Sequence, residues 1–286
     1  MHRIVRKELI GPGFHRFVIE APAIARKHRP GQFVMVLIDA NGERIPLTIA
    51  ASDPVAGTIT LIVQEVGKST LQMGTMAEGD AFLSVVGPLG TATHIDMLGT
   101  VVCVGGGAGI APLLPIARGF KEAGNRVISI LGGRNKDLVI LRDEMAATSD
   151  EIYFTTDDGS FGRKGLVTHA LADAIAAHGR PDLVVAIGPA IMMKVVSEQT
   201  RAAGIPTLVS LNSIMIDGTG MCGGCRVSVG GEGKFVCVDG PEFDGHKVDF
   251  DLLIKRLRAY MPEERAAREK YLADHACQAM KGANHG

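Results

Sequence analysis

Thr100-Val-Val-Cys-Val-Gly-Gly-Gly-Ala-Gly-Ile-Ala-Pro112 is an apolar run, then bare glycines, then a stretch of helical composition. That order is a strand, a tight turn and a helix, the opening of a βαβ unit. Arg126-Val-Ile-Ser-Ile-Leu131, Glu151-Ile-Tyr-Phe-Thr155 and Leu183-Val-Val-Ala-Ile187 follow as short buried strands separated by helical segments, which predicts a parallel, doubly wound α/β sheet over residues 97–210. In the turn, Gly105, Gly106, Gly107 and Gly109, with Pro112 just beyond, let a pyrophosphate approach the N–H groups of a helix N-terminus, where the dipole favours an anion. The plainer reading is a tight βα turn. Gly132-Gly133-Arg134, Thr155-Thr156-Asp157-Asp158-Gly159 and Gly188-Pro189 also follow strands, and ligands bind outside the carboxyl ends of parallel strands. Four such loops on one edge make a candidate nucleotide site.

Upstream the rhythm is different. Arg16–Glu20, Gln32–Ile38, Thr58–Val63 and Ala81–Val86 are short β-rich runs, separated by turn signals at Gly11-Pro-Gly13, Arg29-Pro-Gly31, Asn41-Gly42 and Gly87-Pro88. Regular short strands punctuated this way predict a small antiparallel β-barrel over residues 1–96.

Downstream, residues 211–247 hold Asp217-Gly-Thr-Gly-Met-Cys222-Gly-Gly-Cys225 and Cys237, three of the five cysteines of the chain. Glycines around clustered thiols serve a loop folded about a metal rather than a packed core. Cys-x2-Cys with a distant third cysteine fits the plant-type [2Fe-2S] spacing, and Asp217 holds the position of that pattern's first cysteine. Two readings of Asp217 stand, an anionic ligand or a turn aspartate before Gly-Thr-Gly. Asp239 is a weaker candidate, and a structural zinc is the rival to iron-sulfur because zinc also favours Cys-x2-Cys. Cys103 reads as a core residue, and Cys277 sits in a predicted helix with no evident task. Residues 248–286 form a helical tail: apolar residues recur at helical spacing in Leu252–Tyr260, and Pro262 with two acids opens a second helix. Covering a core face is the ordinary role of such helices, and partner docking the alternative.

Lys+Arg 30 against Asp+Glu 31, with no long basic run, gives no electrostatic case for nucleic acid. The N-terminus lacks the apolar region of a signal peptide and no run is long enough to span a bilayer, so no membrane insertion and a cytoplasmic location are expected.

A barrel, a Gly-Gly-Gly-x-Gly-Ile-Ala-Pro turn and a late Gly-Pro together resemble the ferredoxin-NADP reductase superfamily over residues 1–210. The resemblance implies FAD on the barrel and NAD(P)H on the sheet. Within that superfamily, Arg44-Ile-Pro-Leu-Thr48-Ile-Ala, the Asp217–Cys225 loop and Cys237-Val-Asp-Gly-Pro-Glu-Phe-Asp244 look like the small-subunit family of NADH-dependent ferredoxin:NADP oxidoreductases, in which an aspartate joins three cysteines at the cluster. The electron-transfer subunit of dihydroorotate dehydrogenase is the near alternative; it would carry cysteine where Asp217 stands. The superfamily's Arg-x-Tyr-Ser flavin motif falls on Arg44 to Thr48, with Thr48 in the hydroxyl position, Leu47 in place of the tyrosine and Arg44 one residue further out than the motif's arginine.

By the same resemblance, Thr48 hydrogen-bonds the flavin ring and is the positioning residue for catalysis, while Pro46 and Leu47 shape its pocket. Val63 and Gln64 flank the nucleotide, and Gly67, Lys68, Ser69 and Thr70 hold a diphosphate. Ile187 replaces the cysteine that often precedes the late Gly-Pro. NAD(H) is expected, with NADP the alternative, since Arg134 and Lys136 favour a 2′-phosphate and Asp137 opposes it. The implied activity is a flavin oxidoreductase subunit passing electrons between NAD(H), FAD and a [2Fe-2S] cluster, with a larger flavin and iron-sulfur subunit as partner and ferredoxin reached through the complex. A non-catalytic docking module stapled by zinc is the alternative of another class.

Overall fold

The computed structural model describes residues 1–283, with side chains described to 274, so the side chain of Cys277 lies outside those described. Seven strands form the first sheet: β1 (His2–Gly11), β2 (Phe14–Glu20), β3 (Phe33–Leu37), β4 (Arg44–Asp53), β5 (Thr58–Gln64), β6 (Ala81–Phe82) and β7 (Ser84–Leu89). They lie in the order β6-β1-β2-β5-β4-β3-β7, with antiparallel pairing throughout. The two edge strands are consecutive in the chain with only Leu83 between them, so the sheet curls back on itself as a nearly closed barrel. The curl gives each strand an inner face. In β5, Ile59, Leu61 and Val63 are fully buried and pack with Phe17, Ile19, Val34 and Ile49, while the alternate residues look outward. Two helices complete this half, α1 (Pro22–Ala25) and α2 (Lys68–Thr75).

Two of these strands carry no alternation strong enough to mark them. Only Ile4 of β1 is buried, and the charged residues around it leave the pattern mute. Gly87-Pro88, a turn signal in the sequence, lies inside β7, where an edge strand tolerates a residue without an N–H.

The second sheet has β8 (Thr100–Gly106), β9 (Arg126–Gly133), β10 (Glu151–Thr156), β11 (Arg163–Lys164), β12 (Leu183–Ile187) and β13 (Thr207–Ser210), with α3 (Ile110–Glu122), α4 (Arg142–Thr148), α5 (Val167–His178) and α6 (Ala190–Ala202) between them. All its pairings are parallel except the last, and the strand order is β11-β10-β9-β8-β12-β13 with one further strand beyond β13. The closing strand β16 (Glu242–Asp244) comes from beyond the cysteines and pairs antiparallel to β13. Chain direction across the sheet reverses between β8 and β12, which makes their carboxyl ends a topological switch point.

Between β13 and β16 lie the cysteine loop, the hairpin β14 (Arg226–Val229) with β15 (Glu232–Phe235), and α7 (Val236–Asp239). Two helices end the chain, α8 (Phe250–Leu257) and α9 (Met261–Ala283). The Asp249 side chain accepts the Leu252 N–H at 2.9 Å and fixes the start of α8 just upstream of the run that signalled it. Phe250 and Leu253 turn inward, and Arg256 donates to the Gly224 carbonyl at 3.0 Å. The first tail helix therefore braces the cysteine loop.

Candidate functional site

A cleft of about 870 Å³ opens between the barrel and the carboxyl edge of the parallel sheet. Its barrel wall is the start of β4 and the end of β5. In β4, Pro46, Leu47 and Thr48 face the cleft, and Gln64 with Ile62 faces it from β5. Pleating explains which residues reach it: Val63, between those two, points into the barrel core and is fully buried. Arg44, the first residue of β4, is exposed, pairs with Leu37 and does not line the cleft.

The opposite wall is the switch point. Gly106, Gly107, Gly109 and Pro112 line it from the β8–α3 turn, and Gly188-Pro189 from the end of β12. These two loops touch: a Cβ added at Gly109 would stand 2.3 Å from the Ile187 carbonyl oxygen, so no other residue fits without moving backbone. Gly105 is buried beneath α3 and away from the cleft. Gly133, Arg134 and Asp157 line the outer end, where the Asp157 N–H donates to the Gly133 carbonyl at 3.1 Å and ties the ends of β9 and β10 together. Asp158 turns away, accepting from the Ser160 amide at 2.9 Å and its hydroxyl at 2.7 Å, which hold its carboxyl below the usual range. Lys136 is outside the cleft lining.

Gly67, Lys68, Ser69 and Thr70 stand apart from this cleft, at the N-terminus of α2. The Thr70 Oγ1 accepts the Val66 and Gly67 amides, each at 3.0 Å, and Ser69 donates to Glu43 at 3.4 Å. Lys68 borders a second, polar hollow with Asp39, Asn41 and Gln72.

A third wall carries no motif. After β13 the chain runs as Ser210-Leu-Asn-Ser213 along the cleft mouth, followed by Met215, with Pro241 beside it. The Leu211 amide donates to the Pro241 carbonyl at 2.9 Å and fixes this span. Its only signal in the sequence was position, since it leaves the carboxyl end of a parallel strand.

The same span leads into the cysteine loop. Cys225 and Cys237 are buried with their sulfurs 3.3 Å apart, while Cys222 is exposed. Burial and the neighbouring Cys225 sulfur push the Cys237 thiol up to about 12. Backbone amides face the sulfurs: Gly224 donates to Cys222 at 3.3 Å and Cys237 to Cys225 at 3.5 Å. Thiols with amide donors suit thiolate bound to iron and sulfide, so the donor set fits a cluster. Asp217 accepts the Thr219 amide at 2.9 Å and the Cys222 amide at 2.8 Å, which hold its carboxyl below the usual range. Among the described residues no three Cys, His, Asp or Glu side chains converge as around a single metal ion, and Asp239 instead accepts the Phe235 amide at 2.6 Å. Cys103 is fully buried in β8 and burial pushes its thiol up to about 12.

Two family models match the sheet and the cysteine region in turn. Residues 103–198 match the oxidoreductase NAD-binding domain, and residues 212–249 match the iron-sulfur cluster binding domain of dihydroorotate dehydrogenase B. The second decides for iron-sulfur over zinc. A dihydroorotate dehydrogenase B (NAD+) electron transfer subunit homolog of Thermotoga maritima is 47% identical, covering 95% of this chain and 96% of the relative. The chain belongs to the family of dihydroorotate dehydrogenase B electron-transfer subunits and their homologues. Within the family, the probable dihydroorotate dehydrogenase B (NAD+) electron transfer subunit of Methanopyrus kandleri is 36% identical over 75% of this chain and 78% of its own length. Among solved structures, a chain of the NADH-dependent reduced ferredoxin-NADP oxidoreductase, described for flavin-based electron bifurcation, is 47% identical with a TM-score of 0.90, covering 95% of this chain and 98% of that one. No described helix is long and apolar enough to cross a membrane.

Proposed function

We propose that the chain is the electron-transfer subunit of a cytoplasmic flavin oxidoreductase, moving electrons between NAD(H), a FAD on the barrel and a [2Fe-2S] cluster, and on to a larger subunit, as in an NADH-dependent reduced ferredoxin:NADP oxidoreductase. The observation that carries this reading is the shared cleft: barrel wall, switch-point turn and the root of the cysteine loop line one cavity. A bound flavin would supply hydride chemistry toward the nicotinamide and one-electron chemistry toward a cluster that accepts electrons singly.

The chain's own part is to place those groups. Pro46, Leu47 and Thr48 offer a half-apolar shelf with one hydroxyl for a flat ring. The β8–α3 turn offers amides and the N-terminus of α3 to a pyrophosphate. Arg134 and Asp157 face the outer end of the cleft together, so a 2′-phosphate there would meet a carboxylate as well as the guanidinium, whereas a free 2′-hydroxyl finds an acceptor; this favours NAD over NADP. Gln64 and the Gly67–Thr70 turn remain assigned to FAD, the last as a diphosphate site on the α2 side of the barrel; Val63, its side chain in the core, would meet it through backbone alone, and Arg44 only from outside the cleft. Cys222, Cys225 and Cys237 are the cluster thiolates in this reading, and Asp217 is the fourth donor through the lone pairs its two amide bonds leave free.

The path from shelf to cluster is short. Pro46 pairs with Met35 across β3 and β4, and a Cβ at Gly218, next to Asp217, would stand 2.5 Å from the Met35 Cγ. The cysteine loop is thus rooted on the back of the flavin shelf.

Co-purification of the native complex followed by flavin, iron and acid-labile sulfide analysis tests the proposal. FAD, iron and sulfide together with a larger flavin-containing partner support it. Zinc without sulfide, or no flavin, overturns it. A dihydroorotate-oxidising partner would select the second reading, which rests on the match of residues 212–249.

A further inference from the structure

One residue of the cleft wall carries a polar atom without a partner. Ser213 is 8% exposed, its Oγ is closed off from solvent, and no hydrogen-bonding group of the protein reaches it, yet the residue lines the cleft. A hydroxyl stripped of water and left unpaired is a standing penalty that native proteins retain where a ligand or ordered water supplies the missing bond. The neighbours do not offer one. Leu211 and Met215, the flanking buried residues, are apolar, and the amide–carbonyl bond between Leu211 and Pro241 holds the span in place.

Position identifies the ligand part concerned. The span starts on the sheet at Ser210 and ends on the barrel at Gly218, which abuts Met35 and Leu89. Both are tied to β3: Met35 is opposite Pro46, and Phe33 is opposite both Thr48 and Leu89. The span that carries Ser213 therefore runs from β13 toward the strands behind the shelf formed by Pro46 to Thr48, and it leaves the sheet on the other side of β8 from the strands that precede Arg134 and Asp157.

We infer that Ser213 is a second hydroxyl contact to the flavin ring, facing Thr48 across the cleft mouth, and that its bond to a polar ring atom tunes the flavin on the side nearest the cysteine loop. The contact requires the enclosed Oγ to turn toward the cleft about the Cα–Cβ bond. This rests on the proposed flavin reading.

The test uses the full chain stripped of flavin and reloaded with FAD, with Ser213→Ala and Ser213→Cys as variants; the second keeps the size and loses most of the hydrogen bond. Both are expected to bind FAD about five- to tenfold more weakly and to shift the bound-flavin absorption bands and midpoint potential, the loss of one buried hydrogen bond. The flavin-free variants are expected to melt no lower than the parent, because an orphaned hydroxyl has been removed. Unchanged FAD affinity and spectrum in both variants would overturn the inference, as would equal destabilisation with and without flavin, which marks a packing role. A parent chain that binds no FAD would instead overturn the functional reading, and the inference with it.

Discussion

At the scale of single residues, Gly109 and Asp157 carry the sharpest consequences. Gly109→Ala drives a methyl to within 2.3 Å of a backbone oxygen, so β12 or the turn must shift. Overpacking of this kind costs ~1–3 kcal/mol, and because both displaced loops line the nucleotide wall, NADH affinity is expected to fall more than tenfold. Calorimetric binding beside a melting curve separates the two effects; an unaltered NADH affinity in a destabilised chain would place the nicotinamide dinucleotide elsewhere. Asp157→Ala leaves Arg134 without its acidic neighbour, and the ratio of NADPH to NADH kcat/KM is expected to rise at least about tenfold, since a like charge facing a phosphate costs on the order of a kcal/mol or more. A ratio that does not move would remove Asp157 from the ribose site. These two residues were both readable, Gly109 by its motif and Asp157 by its place after a strand. Ser213 was not, because a lone serine in a polar connecting span has no pattern; only the orphaned hydroxyl on the cleft wall singles it out.

At the scale of elements, the pairing of β13 with β16 joins the part beyond the cysteines to the sheet, and Glu242 in β16 receives the Thr93 hydroxyl at 2.8 Å from the segment linking barrel to sheet. Burial pushes the Glu242 carboxyl up to about 7 from 4.5, with the Thr93 bond pulling the other way; the carboxyl is enclosed although the residue as a whole is half-buried. The folded chain then keeps a proton that the unfolded chain gives up between pH 4.5 and about 7, so stability falls as pH rises through that window. Glu242→Gln is expected to flatten that fall and to be more stable than the parent at pH 8 by ~1–3 kcal/mol. Urea unfolding across the pH series checks it, and parallel profiles for parent and variant would show that another group carries the dependence.

The elements themselves were unequally legible. The parallel strands β8, β9, β10 and β12 announce themselves as continuous apolar runs because both faces are covered. β1 and β4 do not: charged residues break the alternation in β1, and in β4 the first half of the strand is only partly buried along the barrel wall. β16 is three residues long and owes its strand state to pairing with β13, which no local preference records.

At the scale of the molecule, two cofactor-sized walls and a cysteine loop meet because the chain returns from the sheet to the barrel at Gly218. This glycine has φ +76° and no room for a side chain against Met35 and Leu89. Gly218→Ala adds ~1–2 kcal/mol of backbone strain and lifts the loop from β3. Stopped-flow mixing with NADH is expected to show flavin reduction at the parent rate and cluster reduction slowed at least about tenfold, because only the second step crosses this joint. Both steps slowed alike would mean that the joint serves general stability rather than the path. The architecture of barrel, sheet and metal loop was legible in sequence order, whereas the way the third part folds back on the first was not, since it depends on contacts between residues nearly two hundred positions apart.

The central claim, that one chain links nicotinamide, flavin and cluster in series, is tested most directly by an anaerobic NADH titration of the purified full chain, followed by flavin absorbance and by the paramagnetic signal of a reduced cluster. Uptake of about three electrons per chain, two bleaching the flavin and one appearing in the cluster signal, is the expected result. Flavin that bleaches while the cluster signal never appears, or no bleaching by NADH at all, would contradict it.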